Sequence, residues 1–270
     1  MAPRHLIDPH AHFHWAESRD DFARYNASRL RACDAIGVSC QVASILGTWG
    51  KRSPTYFASP GDVSSGNDAM YAIADAEPLR VRSFVHVNPN HTIHALAEIE
   101  RGVARGAIGV KLSASRRADD PLVDAIAHDA GLRGLPVLHH VWQHRQRDWA
   151  NQEASDALEL AALARRHPNT NFILAHIGGG GDWAHSIEVI RDLPNIFPDT
   201  SGSGVDRGML DAYVDAVGPS RLLWAADLTL CTALAKLQAL EVMGLAQDDL
   251  DDICWRNAVR IFPHASFTLT

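Results

Sequence analysis

His10 and His12 stand two residues apart, directly after the short run Leu6-Ile7-Asp8-Pro9. In an extended strand, residues i and i+2 share a face, so the two imidazoles can grip one ion together. Other candidate groups close similar apolar runs: Lys111 in Gly109-Val110-Lys111-Leu112, the pair His139-His140 after Pro136-Val137-Leu138, His176 after Ala175, and Asp227 after Ala226. Adding His140 and the carboxylate of Asp227 to the first pair gives three imidazoles and one oxygen, a set suited to Zn²⁺ with positions left for water. The chain carries 15 histidines at a formal charge of −7, so most of them are neutral near pH 7 and free to ligate. Plainer readings compete at each position: Asp227 could cap a helix, His140 and His176 could close loops, and Lys111 could be a solvated cation. Cys33, Cys40, Cys231 and Cys254 form no CxxC pair and read as reduced, buried thiols of a cytoplasmic protein, which argues against a structural cysteine zinc site.

Side chains so far apart in sequence can meet only if a regular scaffold brings strand ends together. Eight β-branched or Leu-rich runs recur, each followed by a helix-length amphipathic stretch. The strands are expected at 6–8, 38–46, 81–87, 108–112, 136–140, 171–176, 195–199 and 221–227. Helices are expected at 20–36, 68–76, 93–104, 121–132, 155–166, 184–192, 207–217 and 232–243. Pro121 suits a first helical position, and Gly37, Gly106 and Gly134 lie where helices should end in a left-handed turn. Eight strand-then-helix units predict a parallel (β/α)8 TIM barrel, an α/β fold occupying residues 1–270 as one domain, with a C-terminal helical extension from Gln247. A doubly wound open sheet is the alternative, but no GxGxxG follows an early strand, and the Gly178–Gly181 run lies too late and lacks P-loop partners. The longest irregular pieces, 47–66 and 113–120, follow strands and so belong on the catalytic face. With 32 acidic residues against 25 Lys and Arg, a polyanion-binding protein is not the first expectation. Neither a signal peptide nor a membrane span is expected, because no stretch reaches the roughly 18 apolar residues a span requires.

The ordered set of motifs resembles the amidohydrolase superfamily, in particular the amidohydrolase-related branch that includes aminocarboxymuconate semialdehyde decarboxylase. The resemblance spans almost the whole chain and rests on Ile7-Asp8-Pro9-His10-Ala11-His12, Gly109-Val110-Lys111-Leu112, Pro136-Val137-Leu138-His139-His140, Phe172-Ile173-Leu174-Ala175-His176-Ile177-Gly178-Gly179, Arg221-Leu222-Leu223-Trp224-Ala225-Ala226-Asp227 and Asn257-Ala258-Val259-Arg260-Ile261-Phe262. Ala225-Ala226 departs from the Gly-Ser that many relatives carry before the aspartate. Of the doublet, the family register selects His140 as the inward ligand. The resemblance implies a metal held by His10, His12 and His140, with Asp227 as ligand, proton acceptor or both, and His176 polarising the substrate's oxygen or serving as a further ligand. One Zn²⁺ is expected, or two if Lys111 is carboxylated and bridges them; otherwise Lys111 contacts substrate or has no catalytic part.

A divalent ion lowers the pKa of bound water from about 15.7 to about 7, which places hydroxide beside a bound electrophile. The expected function is therefore hydrolysis of a small, carboxylated ester, lactone or amide. The alternatives are non-oxidative decarboxylation of an aromatic or muconate-like acid, and a silent barrel serving as a binding subunit. Trp142 and Arg145, with Trp15, Trp49, Arg116, Arg117 and Arg147, lie in post-strand loops and suit a planar or carboxylated small molecule. No nucleic-acid or membrane partner is expected, and pairing into a homodimer through the segment from Gln247 is an expectation from the family alone.

Overall fold

The computed structural model describes residues 2–15, 20–142, 152–177, 179, 181–202, 204, 208–228, 230–263 and 266–269. Seven strands form one parallel sheet in sequence order: β1 (Ile7–His12), β2 (Cys40–Ser44), β3 (Val81–Val87), β4 (Gly109–Leu112), β5 (Val137–His140), β6 (Phe172–Ala175) and β7 (Ile196–Pro198). Helices α1 (Asp20–Ile36), α2 (Pro60–Ala76), α3 (Thr92–Ala104), α4 (Pro121–Leu132), α5 (Ala157–Arg166), α6 (Trp183–Ile190) and α7 (Met209–Val217) follow the strands in turn, and α8 (Leu230–Val242) follows segment 221–227. This is an α/β, TIM-like arrangement. The expected boundaries have local causes that the structure shows. Asp120 accepts from the Leu122 amide and Pro121 opens α4. Asp156 and Glu159 form a reciprocal capping box on α5. Gly37, Gly106 and Gly134 end their helices at φ of 81°, 86° and 67°.

Segment 47–66 is less irregular than expected, because Ser59 accepts from the Asp62 amide and Pro60 starts α2 eight residues before the expected helix. Gly66 allows this: a Cβ there would stand 2.9 Å from the Gly47 carbonyl oxygen.

The expected eighth strand is not formed. Segment 221–227 makes only isolated parallel bridges, Leu223 with Asp199 of the β7 side and Asp227 with Ala11 of β1. Leu223 and Asp227 donate to the carbonyls of Pro198 and His10, but the three amides between them are taken by other acceptors: Trp224 donates to the Ile253 carbonyl at 2.9 Å, Ala225 to Thr200 Oγ1 at 3.0 Å and Ala226 to Asp8 Oδ1 at 3.0 Å. A ladder needs those donors on one edge, and here they point to side chains and a helix.

The expected C-terminal extension is likewise not an appended arm. It breaks into α9 (Gln247–Asp251), a π-helical turn (Asp252–Arg256) and α10 (Asn257–Ile261). Ile253, Cys254, Ala258 and Ile261 are buried, and Ala258, Ile261 and Phe262 pack with Ile7, Val42, Phe84, Leu138, Ile173 and Leu223. That cluster fills the space enclosed by the strands near their N-terminal ends, whereas Val85, Val110, Val137 and Leu174 point outward into the helix layer. Functional side chains are therefore left to the opposite, C-terminal ends of the strands. No helix among the described residues is long and apolar enough to cross a membrane.

Candidate metal centre and catalytic pocket

β1 delivers His10 and His12 by an irregularity. Its register with β2 runs Ile7 to Cys40 and Asp8 to Gln41, then Ala11 to Ala43 and His12 to Ser44, so β1 holds one extra residue between Asp8 and Ala11. Ile7 packs inside the barrel, and His10 lies an odd number of residues later. Strict alternation would turn His10 outward, and the bulge restores the inward phase. Asp8 braces the kink. One carboxylate oxygen accepts from the amides of His10 (3.1 Å) and Ala226 (3.0 Å), and the other from Arg29 (3.0 Å), whose Nε donates to Gln41.

The hydrogen bonds assign the protons on the imidazoles. His12 Nδ1 lies 3.2 Å from the Ser44 carbonyl oxygen, which can only accept, so Nδ1 carries the proton. His10 Nδ1 lies 2.8 Å from Asp199 Oδ2 and donates to it. Both Nε2 atoms are therefore lone-pair nitrogens. They face each other at 3.3 Å, with Asp227 Oδ1 at 3.3 Å from His12 Nε2 and 3.7 Å from His10 Nε2. Three acceptors converging with no proton among them repel unless a cation lies between them, and His10, His12 and Asp227 meet the spacing for one ion. Two imidazoles and a carboxylate fit a divalent metal.

His140 faces inward, as the register selects, and His139 faces outward with its Nδ1 donating to the His140 carbonyl oxygen at 2.8 Å. His140 does not join the trio, however. Its Nδ1 lies 3.3 Å from His176 Nε2, and His176 Nδ1 lies 2.6 Å from Ser201 Oγ. The Ser201 hydroxyl donates to Asp199 through a short bond, so it accepts from His176 and from His10, 3.1 Å away. This forms a chain, His140 to His176 to Ser201 to Asp199 to His10, running beside the trio. Lys111, fully buried, places its ammonium 3.3 Å from His10 Nε2. A pocket opens onto these groups, lined by His12, Lys111, Ser113, His140 and Asp227 together with Leu46, Trp49, Tyr56 and Leu228. Trp49 is fixed by stacking on His14 at 4.3 Å and by donating from Nε1 to the Phe13 carbonyl oxygen. Trp142 lies edge-on to His176 at 6.4 Å, outside the pocket lining. Arg145 lies outside the described residues.

Sequence reasoning did not single out Asp199, Ser201, Ser44 or Tyr56. Asp199 was within reach of the criterion that found Asp227, a carboxylate closing a strand. Ser44 acts through its backbone carbonyl and hydroxyl, which no side-chain motif marks. Asp199→Asn is expected to weaken metal binding about 10- to 100-fold. The amide keeps its oxygen on the Ser201 donors and turns NH₂ toward His10, which moves the His10 proton to the nitrogen that must ligate. Titration with Mn²⁺ or Zn²⁺ measures this, and an unchanged dissociation constant would mean that Ser201 alone sets the His10 tautomer.

Burial dominates the electrostatics. It lowers His10, His12 and His176 well below the usual imidazole value, with Lys111 adding to the effect, and lowers His140 and His86 to about 3 and His139 to about 4. Burial also raises Asp8 to about 7 and Asp199 and Asp227 to about 6, against the pull of Arg29 or Lys111, and lowers Lys111 to about 8. Six imidazoles stay neutral in the fold and charge on unfolding below pH 6.5, whereas three carboxyls do the opposite between pH 3.8 and 6 to 7. The imidazoles outnumber the carboxyls, so near pH 5 the unfolded chain binds roughly three more protons, and stability rises with pH up to about 6.5. Melting temperatures of chelator-treated protein should fall steadily from pH 6.5 to 5, and a flat profile would contradict the neutral assignment.

A family profile described as Amidohydrolase matches residues 7–264, and the chain belongs to that family. Its fold is shared with solved structures of low sequence identity. The 5-carboxyvanillate decarboxylase LigW from Sphingomonas paucimobilis is 19% identical with a TM-score of 0.70, over 97% of this chain and 99% of that one. The 2,6-dihydroxybenzoate decarboxylase from Rhizobium is 16% identical with a TM-score of 0.72, over 97% and 98%. The dihydroxybenzoic acid decarboxylase from a Polaromonas species, solved with bound manganese and the inhibitor 2-nitroresorcinol, is 17% identical with a TM-score of 0.73, over 97% of each chain. A search of curated protein sequences returns no match.

Proposed function

We propose that this chain, acting as one domain, is a metal-dependent non-oxidative decarboxylase of an aromatic or muconate-like carboxylic acid. The observation that carries the reading is the mixed pocket: Trp49, Tyr56, Leu46 and Leu228 supply an apolar wall for a planar ring, beside a buried ammonium, Lys111, and a half-buried carboxyl, Asp227. The aromatic-acid decarboxylases among its structural neighbours support the same choice. His10, His12 and Asp227 would hold the ion, with His140 at the pocket edge. When bound, the ion supplies a Lewis acid that fixes and polarises the oxygens of the substrate. Zn²⁺ and Mn²⁺ both suit the donor set, and the manganese of the Polaromonas enzyme makes Mn²⁺ the first to test.

Lys111 pairs with the substrate carboxylate inside a dry pocket. Asp227, raised to about 6, is mostly ionised near neutral pH, and the minor form that carries a proton at Oδ2 delivers it to the ring carbon that bears the carboxylate. The C–CO₂⁻ bond then breaks, its electron pair returns to the ring, and CO₂ leaves. The apolar wall excludes water that would stabilise the starting carboxylate.

The second reading is hydrolysis of a carboxylated ester, lactone or amide, favoured by the position of Asp227 to accept a proton from water beside His12. Product analysis separates them: incubation with hydroxybenzoic acids should release CO₂, and incubation with lactones should release no acid. Acid release without CO₂ reverses the assignment. The converging lone pairs argue against a silent barrel.

A further inference from the structure

Lys236 of α8 is buried, and no part of the chemistry above uses it. Its ammonium donates to three consecutive backbone carbonyls, of Thr200 (2.5 Å), Ser201 (3.1 Å) and Gly202 (2.8 Å). An ammonium has three N–H donors, and all three are used on one turn of main chain. That turn is held from its other side as well. Thr200 donates its amide to Leu223 and accepts from Ala225, while Ser201 donates its amide and hydroxyl to Asp199. Gly202, at φ 83°, lies so close to His176 that a Cβ would stand 2.8 Å from the His176 Cβ. Three carbonyl oxygens directed at one point repel one another, and without a cation they would splay apart. The Ser201 hydroxyl they position is the shared acceptor of His10 Nδ1 and His176 Nδ1.

We propose that Lys236 is a positioning residue, a tethered cation in a three-carbonyl site that would otherwise require a free monovalent ion, and that it fixes the proton positions on His10 and His176 through Ser201. The carbonyl cage has the chemistry of an ammonium or potassium site. Removing the side chain of Lys236 leaves a cavity of matching charge and donor demand. Lys236→Ala is therefore expected to convert the protein into one that depends on ammonium. Arginine cannot substitute, because its planar fork does not direct three donors at one apex.

The test uses the full chain treated with chelator and labelled with ¹⁵N-histidine. In wild type, His10 and His176 should each show one ordered tautomer with the proton on Nδ1. In Lys236→Ala both rings should move to averaged tautomers, and ammonium chloride, but not tetramethylammonium chloride at equal ionic strength, should restore them. Mn²⁺ affinity should fall about 10- to 100-fold and recover with the same salt. Ordered rings in a folded Lys236→Ala without ammonium overturn the proposal, as does loss of order that ammonium does not repair. If Lys236→Ala folds only in ammonium, the proposal is supported; if it folds in neither salt, Lys236→Arg decides, with shifted resonances of both rings supporting it and unchanged ones overturning it. The inference rests on the hydrogen-bond network rather than on decarboxylation, so a wild type that binds no metal but shows the ammonium-dependent rings would sink the proposed function and leave this one standing.

Discussion

His12→Ala is expected to lose stoichiometric metal and to lower turnover by about three orders of magnitude. The size follows from the several kcal/mol that a Lewis acid contributes to stabilising developing charge, at about 1.4 kcal/mol for each tenfold in rate. His12 supplies one of three converging donors, and its Nδ1 is anchored on Ser44, so neither remaining atom can move to replace it. His140 does not compensate, because it is committed to His176. Elemental analysis of wild type and variant checks the claim directly. One ion per wild-type chain with none in the variant is the expected pair of results. Two ions in wild type would instead assign Lys111 a bridging role, and a metal-replete variant would move the centre to the chain of His140 and His176.

The largest effect on stability belongs to Asp8, which never meets substrate. Asp8 and Arg29 are buried together, and the Asp8 carboxylate also holds the amides of His10 and Ala226, thereby joining β1 to segment 221–227. At pH 8, where Asp8 is ionised, Asp8→Ala strands a guanidinium without its partner, a loss of about 3–5 kcal/mol. For a chain of this size that lowers the melting temperature by roughly 10 °C. The double variant Asp8→Leu with Arg29→Met should recover only part of the loss, because apolar groups of similar volume often match a buried ion pair but leave the amides of His10 and Ala226 without an acceptor. Urea unfolding measures both. A single variant within about 1 kcal/mol of wild type would show that the pair contributes no more than an exposed one.

The periodicity of the chain foretold most strands and helices, since burial on both faces writes itself as short continuous apolar runs. That His10, His12 and Asp227 come together was expected for a related reason: they close strands, and strand ends are where the scaffold converges. Segment 221–227 misled because its apolar residues look like those of a strand, while its amide partners, Ile253, Thr200 and Asp8, are remote in sequence. Ser201 was illegible because its importance lies in which ring nitrogens it touches, whereas Asp199 closes an expected strand as Asp227 does and could have been found. Lys236 shows the limit most clearly. On an amphipathic helix a lysine reads as a solvated group, and only the turn opposite it reveals three carbonyls awaiting a cation.

The extra residue in β1 has a meaning for how this protein can change over generations. Its metal-facing histidines point inward although an odd number of residues separates each from Ile7, which also points inward, because the bulge takes up one residue. A substitution in this stretch alters one side chain, and neighbours can adapt to it. Deleting Pro9 would remove the residue that the bulge takes up and leave a regular strand with both imidazoles still facing inward, whereas deleting Ala11 would put His10 and His12 on opposite faces. The stretch from Asp8 to His10 can therefore lose one residue and keep its direction, while the spacing from His10 to His12 cannot, and a chain without Ala11 would lose the centre without losing a single histidine.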